Sequence, residues 1–428
     1  MLHVMEEAQR CLGCKKPRCQ EGCPIHTNIP EVIRLLKDGK LNEAGWMLFE
    51  NNPLTTVCSL VCDHEHQCEG HCVRGLKGAP VHFSIIENYI STTYAHQMTK
   101  GPAKPNGRKA AVVGAGPSGL TIAIILARYG YKVTIFDTRD KIGGVMRYGI
   151  PDFRLPDSVL DDIAYRHLEL KEIQFRPNTA IGSAITIDDL FRDGYQAIFV
   201  GVGLWKPRQL HIKGESLGHV AFAINYLASP EAFRLGERVM VIGSGNSAMD
   251  CARTAIRQGA RYVTVINRSD RISASEYESS YAKLEGVDFL MMKSPMEIRD
   301  DGIVLADNEI GEDGKVKPIP GTEMLYPCTG VIIAVSQGIE GNVLKSSEKI
   351  DTGRGGLVTV DEEGHTSHPG VFSAGDAASG ARNVVEAVVN GKKVAEAMHR
   401  YMQSLPMPVF TDYPDVPVFH ENAAEEQA

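Results

Sequence analysis

Short, mainly apolar runs fall at positions 110–113, 132–136, 197–202, 238–242, 262–266, 331–335 and 371–374. Runs of this length, closed by glycine or polar residues, predict strands buried on both faces of a parallel sheet. Two of them pass directly into glycines and then into a helical stretch. The run at 110–113 leads into Gly114, Gly116 and Gly119, with helical character to 128; the run at 238–242 leads into Gly243, Gly245 and Ala248, with a helix to 258. The same strand–turn–helix unit therefore occurs twice, about 130 residues apart, which implies two nucleotide sites. Residues 1–100 follow another pattern, with amphipathic spacing at 30–38, 41–50 and 85–94 that predicts short helices.

The first unit carries a full dinucleotide fingerprint. Gly114 permits the tight turn, Gly116 lets the backbone approach a pyrophosphate, and Gly119 lets helix pack on strand. Pro117 and Ser118 open the helix, whose free N–H groups face the phosphates. The second apolar run ends in Asp137, 18 residues after Gly119, where a carboxylate reaches a ribose hydroxyl. Positions 110–127 carry no charge, but three glycines and a proline early in the run argue against a membrane helix. Gly375 and Asp376 follow the run at 371–374 and precede a helix at 383–398, a placement suited to the ribityl–phosphate arm of a flavin nucleotide.

The second unit ends differently. Its second strand closes on Asn267-Arg268 with no carboxylate. An acid there favours the ribose of NAD, whereas an arginine suits a 2′-phosphate. We therefore expect NADP(H) on Gly243, Gly245, Asn246, Ser247 and Ala248, with Arg268 as the phosphate contact and Arg271 as its helper. Cys251 lacks a neighbour at C-x-x-C spacing and reads as a small core residue.

Charge and cysteine usage narrow the class. The 428 residues hold 45 Lys and Arg against 53 Asp and Glu, a net charge of -8, without a long basic stripe; nucleic acid is an unsuitable partner. The start, MLHVMEEAQRC, has neither a basic n-region nor an apolar h-region, so a cytoplasmic chain is expected. Eight of ten cysteines lie between positions 11 and 72, spaced Cys11-x2-Cys14-x4-Cys19-x3-Cys23-Pro24 and Cys58-x3-Cys62-x5-Cys68-x3-Cys72. In a reducing compartment this reads as cluster ligation. The C-x3-C-P ending is that of bacterial ferredoxin runs, while the x4 gap departs from their x2. Zinc is the alternative, although only Cys11 and Cys14 form a comfortable knuckle. His64, His66 and His71 read as loop residues.

These parts imply one another. A nicotinamide gives up two electrons as a hydride, and an iron–sulfur cluster accepts one at a time, so a flavin is needed between them. FAD then belongs to the first site and NADP(H) to the second. The expected layout is a helical iron–sulfur region at 1–107, a discontinuous FAD unit at 108–204 and 329–405, an inserted NAD(P)H unit at 205–328, and a Pro-rich, then acidic tail at 406–428.

The eight cysteines, VVGAGPSGL (112–120), GGVMRYGIPDFRLP (143–156), GSGNSAMDCARTAIRQGA (243–260) and GVFSAGDAA (370–378) together resemble the small (beta) subunit family of NADPH-dependent glutamate synthase. Its relatives are the N-terminal half of dihydropyrimidine dehydrogenase and the large subunit of the bifurcating NADH-dependent ferredoxin:NADP oxidoreductase. The resemblance implies an α/β fold of two Rossmann-like units, FAD, NADPH and two 4Fe–4S clusters with crossed ligation. Cys11, Cys14, Cys19 and Cys72 would hold one cluster, and Cys23, Cys62 and Cys68 the other. The relatives complete the second cluster with glutamine or glutamate; Glu87 occupies that place, with Cys58 as its competitor. Gly144 would contact the flavin nucleotide, and Arg147, Tyr148, Pro151 and Arg154 would line the flavin's reacting face. Where the family often has two arginines, this chain has Asn267-Arg268-Ser269, which leaves NADH open. The implied role is an electron-transfer subunit working with a partner oxidoreductase subunit or a ferredoxin-type acceptor in a hetero-oligomer. A bifurcating-complex subunit, a self-contained reductase of a small molecule or quinone, and a structural cluster-binding adaptor are the alternatives.

Overall fold

The computed structural model describes residues 3–95, 104–168, 173–345, 347 and 349–407. Residues 96–103 and the tail beyond 407 lie outside them. Among the described residues, no helix is long and apolar enough to cross a membrane.

The apolar runs become two five-stranded parallel sheets. In the first, the order is Val371–Ser373, Ala197–Val200, Lys109–Val113, Lys132–Phe136, Ile173–Arg176. Ala110, Ala111, Val112, Ile198, Phe199 and Phe372 are wholly enclosed, as a sheet covered on both faces requires. Helix Pro117–Arg128 covers one face, and the 21-residue helix Val384–Ser404 packs along it. Asn383 caps the long helix by accepting from the Glu386 amide at 2.9 Å, while Glu386 accepts in return from the Asn383 amide at 3.3 Å.

The second sheet runs Val220–Phe222, Gly330–Ile333, Arg238–Ile242, Tyr262–Ile266, Val287–Leu290. This corrects one expectation. The run at 331–335 was assigned to the FAD unit, but Val331 pairs with Met240 and Ile332 with Val241, so the second unit reaches past 328. The strand ends beside the second glycine turn, where Ala334 donates its amide to Ile242 O. An antiparallel sheet built on Lys293–Arg299, Gly302–Ile310 and Met324–Pro327 is appended to this unit.

The N-terminal region is helical, with Ile29–Lys37, Leu41–Asn51, Thr55–Val61 and Phe83–Ala95 as its main helices. Val32, Ile33, Leu48, Ile86 and Ile90 form its core. Phe49, Leu54 and Val57 instead join the core of the first sheet, and Phe49 stacks on His167 at 5.5 Å. Burial and the nearby Arg166 and Arg128 charges push His167 down to about 3, so this contact is built on a neutral imidazole.

Candidate functional site

The first glycine turn forms the floor of a cleft of about 190 Å³. Gly114 sits at φ +107°, and a Cβ there would lie 2.3 Å from Gly201 O; only glycine fits. A Cβ on Gly119 would stand 2.0 Å from Gly114 O, so helix and strand touch backbone to backbone. A Cβ on Gly116 would meet nothing within 4 Å. That open space is the cleft itself, which Gly114, Gly116, Pro117, Ser118, Asp137, Gly144, Gly375 and Asp376 all line. The floor is rigid: Ser118 Oγ donates to Ala387 O at 2.9 Å, and a Cβ on Gly375 would press on Ser118 Oγ at 2.6 Å.

Asp137, Asp376 and Glu340 line this cleft. Asp137 accepts from the Ala115 amide at 2.6 Å and from the Arg139 amide at 2.9 Å, so it braces the glycine turn. Burial raises its pKa while those amides pull it back. Asp376 is pushed up to about 6, chiefly by burial, with the Arg382 amide opposing at 3.2 Å. The far walls come from 179–183 and 342–343, and the second unit contributes Ile224.

The second turn repeats the backbone. Gly243 sits at φ +121°, with a Cβ blocked by Ala334 O at 2.3 Å, while Gly245 faces open space. Ala248 is fully buried, and Asn246 and Ser247 are exposed at the start of helix Asn246–Arg257. Asn246 Oδ1 accepts from the Ser275 amide at 2.9 Å. Buried Asn267 donates to Arg271 O at 2.6 Å and to Ser269 O at 3.2 Å, which fixes the loop carrying the two arginines. Arg268 and Arg271 are exposed, and among the described residues neither guanidinium makes an ion pair or hydrogen bond. Cys251 is buried in the core of this unit, and burial pushes its thiol well up.

The cysteines gather in two places. Cys11, Cys14, Cys19 and Cys72 line one small cavity of about 30 Å³, beside Arg18 and Arg74. Burial, then the neighbouring Cys72, pushes Cys19 up to about 11. The other gathering surrounds Cys62. Its hydrogen bond with Cys58, its burial and the charges of Glu87 and Cys68 push it well up. Cys68, which also reaches the wall of the first cavity, is raised by burial and then by Glu87, Glu69 and Cys23. Glu87 is enclosed and pushed up to about 7 by burial, although Thr55 donates to it at 2.6 Å. Among the described residues no three His, Cys, Asp or Glu groups converge closely enough to hold a single metal ion.

Residues 2–99 match the family described as dihydropyrimidine dehydrogenase domain II, 4Fe-4S cluster. Residues 112–161 match an NAD(P)-binding Rossmann-like domain, and 169–393 match pyridine nucleotide-disulphide oxidoreductase. The chain is 32% identical to the glutamate synthase [NADPH] small chain of Escherichia coli K12, over 93% of this chain and 91% of that one. It belongs to the glutamate synthase small-chain family. It is also 30% identical to the NAD-dependent dihydropyrimidine dehydrogenase subunit PreT of Escherichia coli O157:H7, covering 94% and 95% of the two chains. Mycobacterium tuberculosis FprA in complex with NADPH shares the fold with a TM-score of 0.60, 18% identity, and coverage of 70% of this chain and 85% of that one.

As a glutamate synthase small-chain relative, the protein is an NAD(P)H-dependent flavoprotein oxidoreductase with an iron–sulfur domain. Its loop at 143–156 departs from what its sequence suggested. Gly144 and Val145 line the cleft, but Arg147, Tyr148, Pro151 and Arg154 are not among the lining residues. Arg147 is a brace: it donates to Ile142 O at 2.8 Å and pairs with Asp161 at 2.7 Å and Asp157 at 3.2 Å. Tyr148 donates to Asp140 at 2.7 Å, with Arg139 over its ring. Arg154 turns away to Asp250 and Glu278 of the second unit. The histidines among the cysteines are loop residues: His66 pairs with Asp63, and His71 meets Gln67 O at 2.6 Å. Sequence reasoning missed Trp205, Ile224 and Asn342 on the cleft walls, since nothing local marks residues that fold brings there.

Proposed function

We propose that the chain is the electron-input subunit of a larger oxidoreductase. It binds NADPH at Gly243–Ala248 with Arg268 and Arg271, FAD in the cleft floored by Gly114 and Gly116, and two 4Fe–4S clusters on the cysteines. It delivers electrons to a partner protein in the cytoplasm. A flavin in that cleft supplies acceptance of a hydride and release of single electrons, the exchange that nicotinamide and cluster chemistry require.

The residues fit the groups assigned to them. The space beside Gly116 and the free amides of helix Pro117–Arg128 suit a pyrophosphate. Asp137, already held by two backbone amides, keeps a carboxylate oriented toward a ribose. Cys72 gathers with Cys11, Cys14 and Cys19 in one cavity, and Cys23 with Cys62, Cys68 and Glu87, a crossed grouping that supports two clusters rather than one. Thiols raised by burial become ligands only when a metal takes the place of their protons. Glu87 is the fourth ligand of the second cluster: a buried carboxylate at a pKa of about 7 gains most from such a cation.

The observation that carries the proposal is the cleft. Both nucleotide units contribute to its walls, through Gly144 from one and Ile224 from the other, so a flavin held there is within reach of the second unit. The relatives named above are a small chain and a subunit, which supports a partner protein. PreT is named NAD-dependent, so NADH is the second reading for the nicotinamide. Purifying the chain alone tests the role. Dye reduction driven by NADPH, with no turnover of a physiological small molecule, is expected; robust turnover of such a molecule by the isolated chain ends the subunit reading.

A further inference from the structure

A buried group of charges joins the two nucleotide units, and neither binding site uses it. The loop at 143–156 starts at the FAD cleft, where Gly144 lines the wall and the Gly143 amide donates to Ala115 O at 2.9 Å. The same loop ends inside the second unit. There Arg154 donates to Asp250 at 3.0 and 2.8 Å and pairs with Glu278 at 2.7 Å. Asp250 stands on helix Asn246–Arg257, which begins at the second glycine turn. Arg253, on the next turn of that helix, holds the other oxygen of Glu278 at 2.9 Å. Phe153 lies under Arg253 and Arg257, 4.7 and 3.8 Å from their guanidinium carbons to the ring centre. A single loop thus connects the glycine turn of one site to the helix of the other.

The composition of this contact is informative. Arg154, Asp250, Glu278 and Arg253 have side chains only 14, 5, 4 and 8% exposed. Arg253 also pairs with Glu285 at 2.9 Å; a buried cluster of matched charges adds little net stability, because desolvation offsets most of the attraction. What a planar guanidinium held by two carboxylates does supply is a fixed angle. An apolar contact of the same size would tolerate sliding. Hydride transfer is sensitive to such sliding, since a displacement of about 1 Å costs on the order of 100-fold.

We propose that Arg154 is a positioning residue for hydride transfer: it latches the second nucleotide unit to the cleft loop and sets the angle at which nicotinamide and flavin meet. The transfer part rests on the proposed function; the latch stands on the contacts alone. The test pairs Arg154→Gln with the charge-keeping Arg154→Lys, which is the arm to use if Arg154→Gln does not fold. In the protein as purified, hydrogen–deuterium exchange of 149–156 and 276–284 rises about tenfold in Arg154→Gln, with the sheet strands unchanged. In the FAD-loaded protein, the rate of flavin bleaching at saturating NADPH falls about 10- to 100-fold, while flavin content and NADPH affinity stay within about threefold. Arg154→Lys shows both effects at reduced size. Unchanged exchange in a folded variant overturns the latch. Faster exchange with an unchanged bleaching rate, or a loss confined to NADPH affinity, overturns the positioning role. A protein that binds no flavin sinks the proposed function but leaves the exchange arm able to decide the latch.

Discussion

The two glycine turns are built alike and finished differently. Gly114 and Gly243 take the same left-handed conformation, each blocked by a carbonyl 2.3 Å from a hypothetical Cβ, and Gly116 and Gly245 both face open space. Around the first, three acids and walls from distant segments enclose a cleft. Around the second, exposed Asn246, Ser247, Arg268 and Arg271 leave the turn open. The shared backbone suits any pyrophosphate, whereas the residues closing each site choose the nucleotide and how long it stays. An enclosed nucleotide is a resident cofactor; an open turn suits one that must come and go.

The largest effect expected from breaking this comparison is at Gly119. Gly119→Val places a side chain against Gly114 O and should abolish flavin binding, read as loss of the protein's visible absorbance. Gly245→Ala, at the open position, should leave melting and flavin content unaltered and weaken only NADPH binding. Next comes Asp137→Ala, which removes the carboxylate assigned to the ribose and loosens the glycine turn it braces; FAD affinity should fall roughly 100-fold by equilibrium dialysis, about 2.7 kcal/mol. The pair Arg268→Ala and Arg271→Ala should lower kcat/KM for NADPH about 10- to 100-fold and leave NADH within about twofold. An unchanged preference removes Arg268 from its role.

The smallest effect is a pH dependence. Burial raises Asp376 from 3.8 to about 6, so the folded chain holds this proton more tightly than the unfolded one. Its contribution to stability is therefore complete below pH 4 and is lost as pH rises through 6. A two-unit shift corresponds to roughly 3 kcal/mol, and partial exposure reduces this to about 1 kcal/mol. Asp376→Asn should flatten that slope in urea titrations of the flavin-free protein between pH 4 and 6.

How much of this was legible in the sequence follows from the range of each interaction. Strands 109–113, 132–136, 238–242 and 262–266 appear as read, because a strand buried on both faces writes itself as an apolar run. The run at 331–335 was placed in the wrong sheet, since an apolar run does not say which neighbour it pairs with. The family resemblance puts Arg154 on the flavin's reacting face, while the fold pairs it with Asp250, 96 positions away. The same resemblance puts Arg147 there, and the fold pairs it with carboxylates on helix Asp157–Leu168. Glycine chemistry is local and was readable, while the direction of a long side chain is decided by partners that only the fold supplies.

The most direct test of the central claim is anaerobic absorbance spectroscopy of the purified chain during NADPH addition, with acid-labile sulfide measured on the same sample. The account predicts a flavin band that bleaches as NADPH is added, over a broad cluster absorbance matched by two clusters' worth of sulfide. A colourless protein without flavin or sulfide would contradict it.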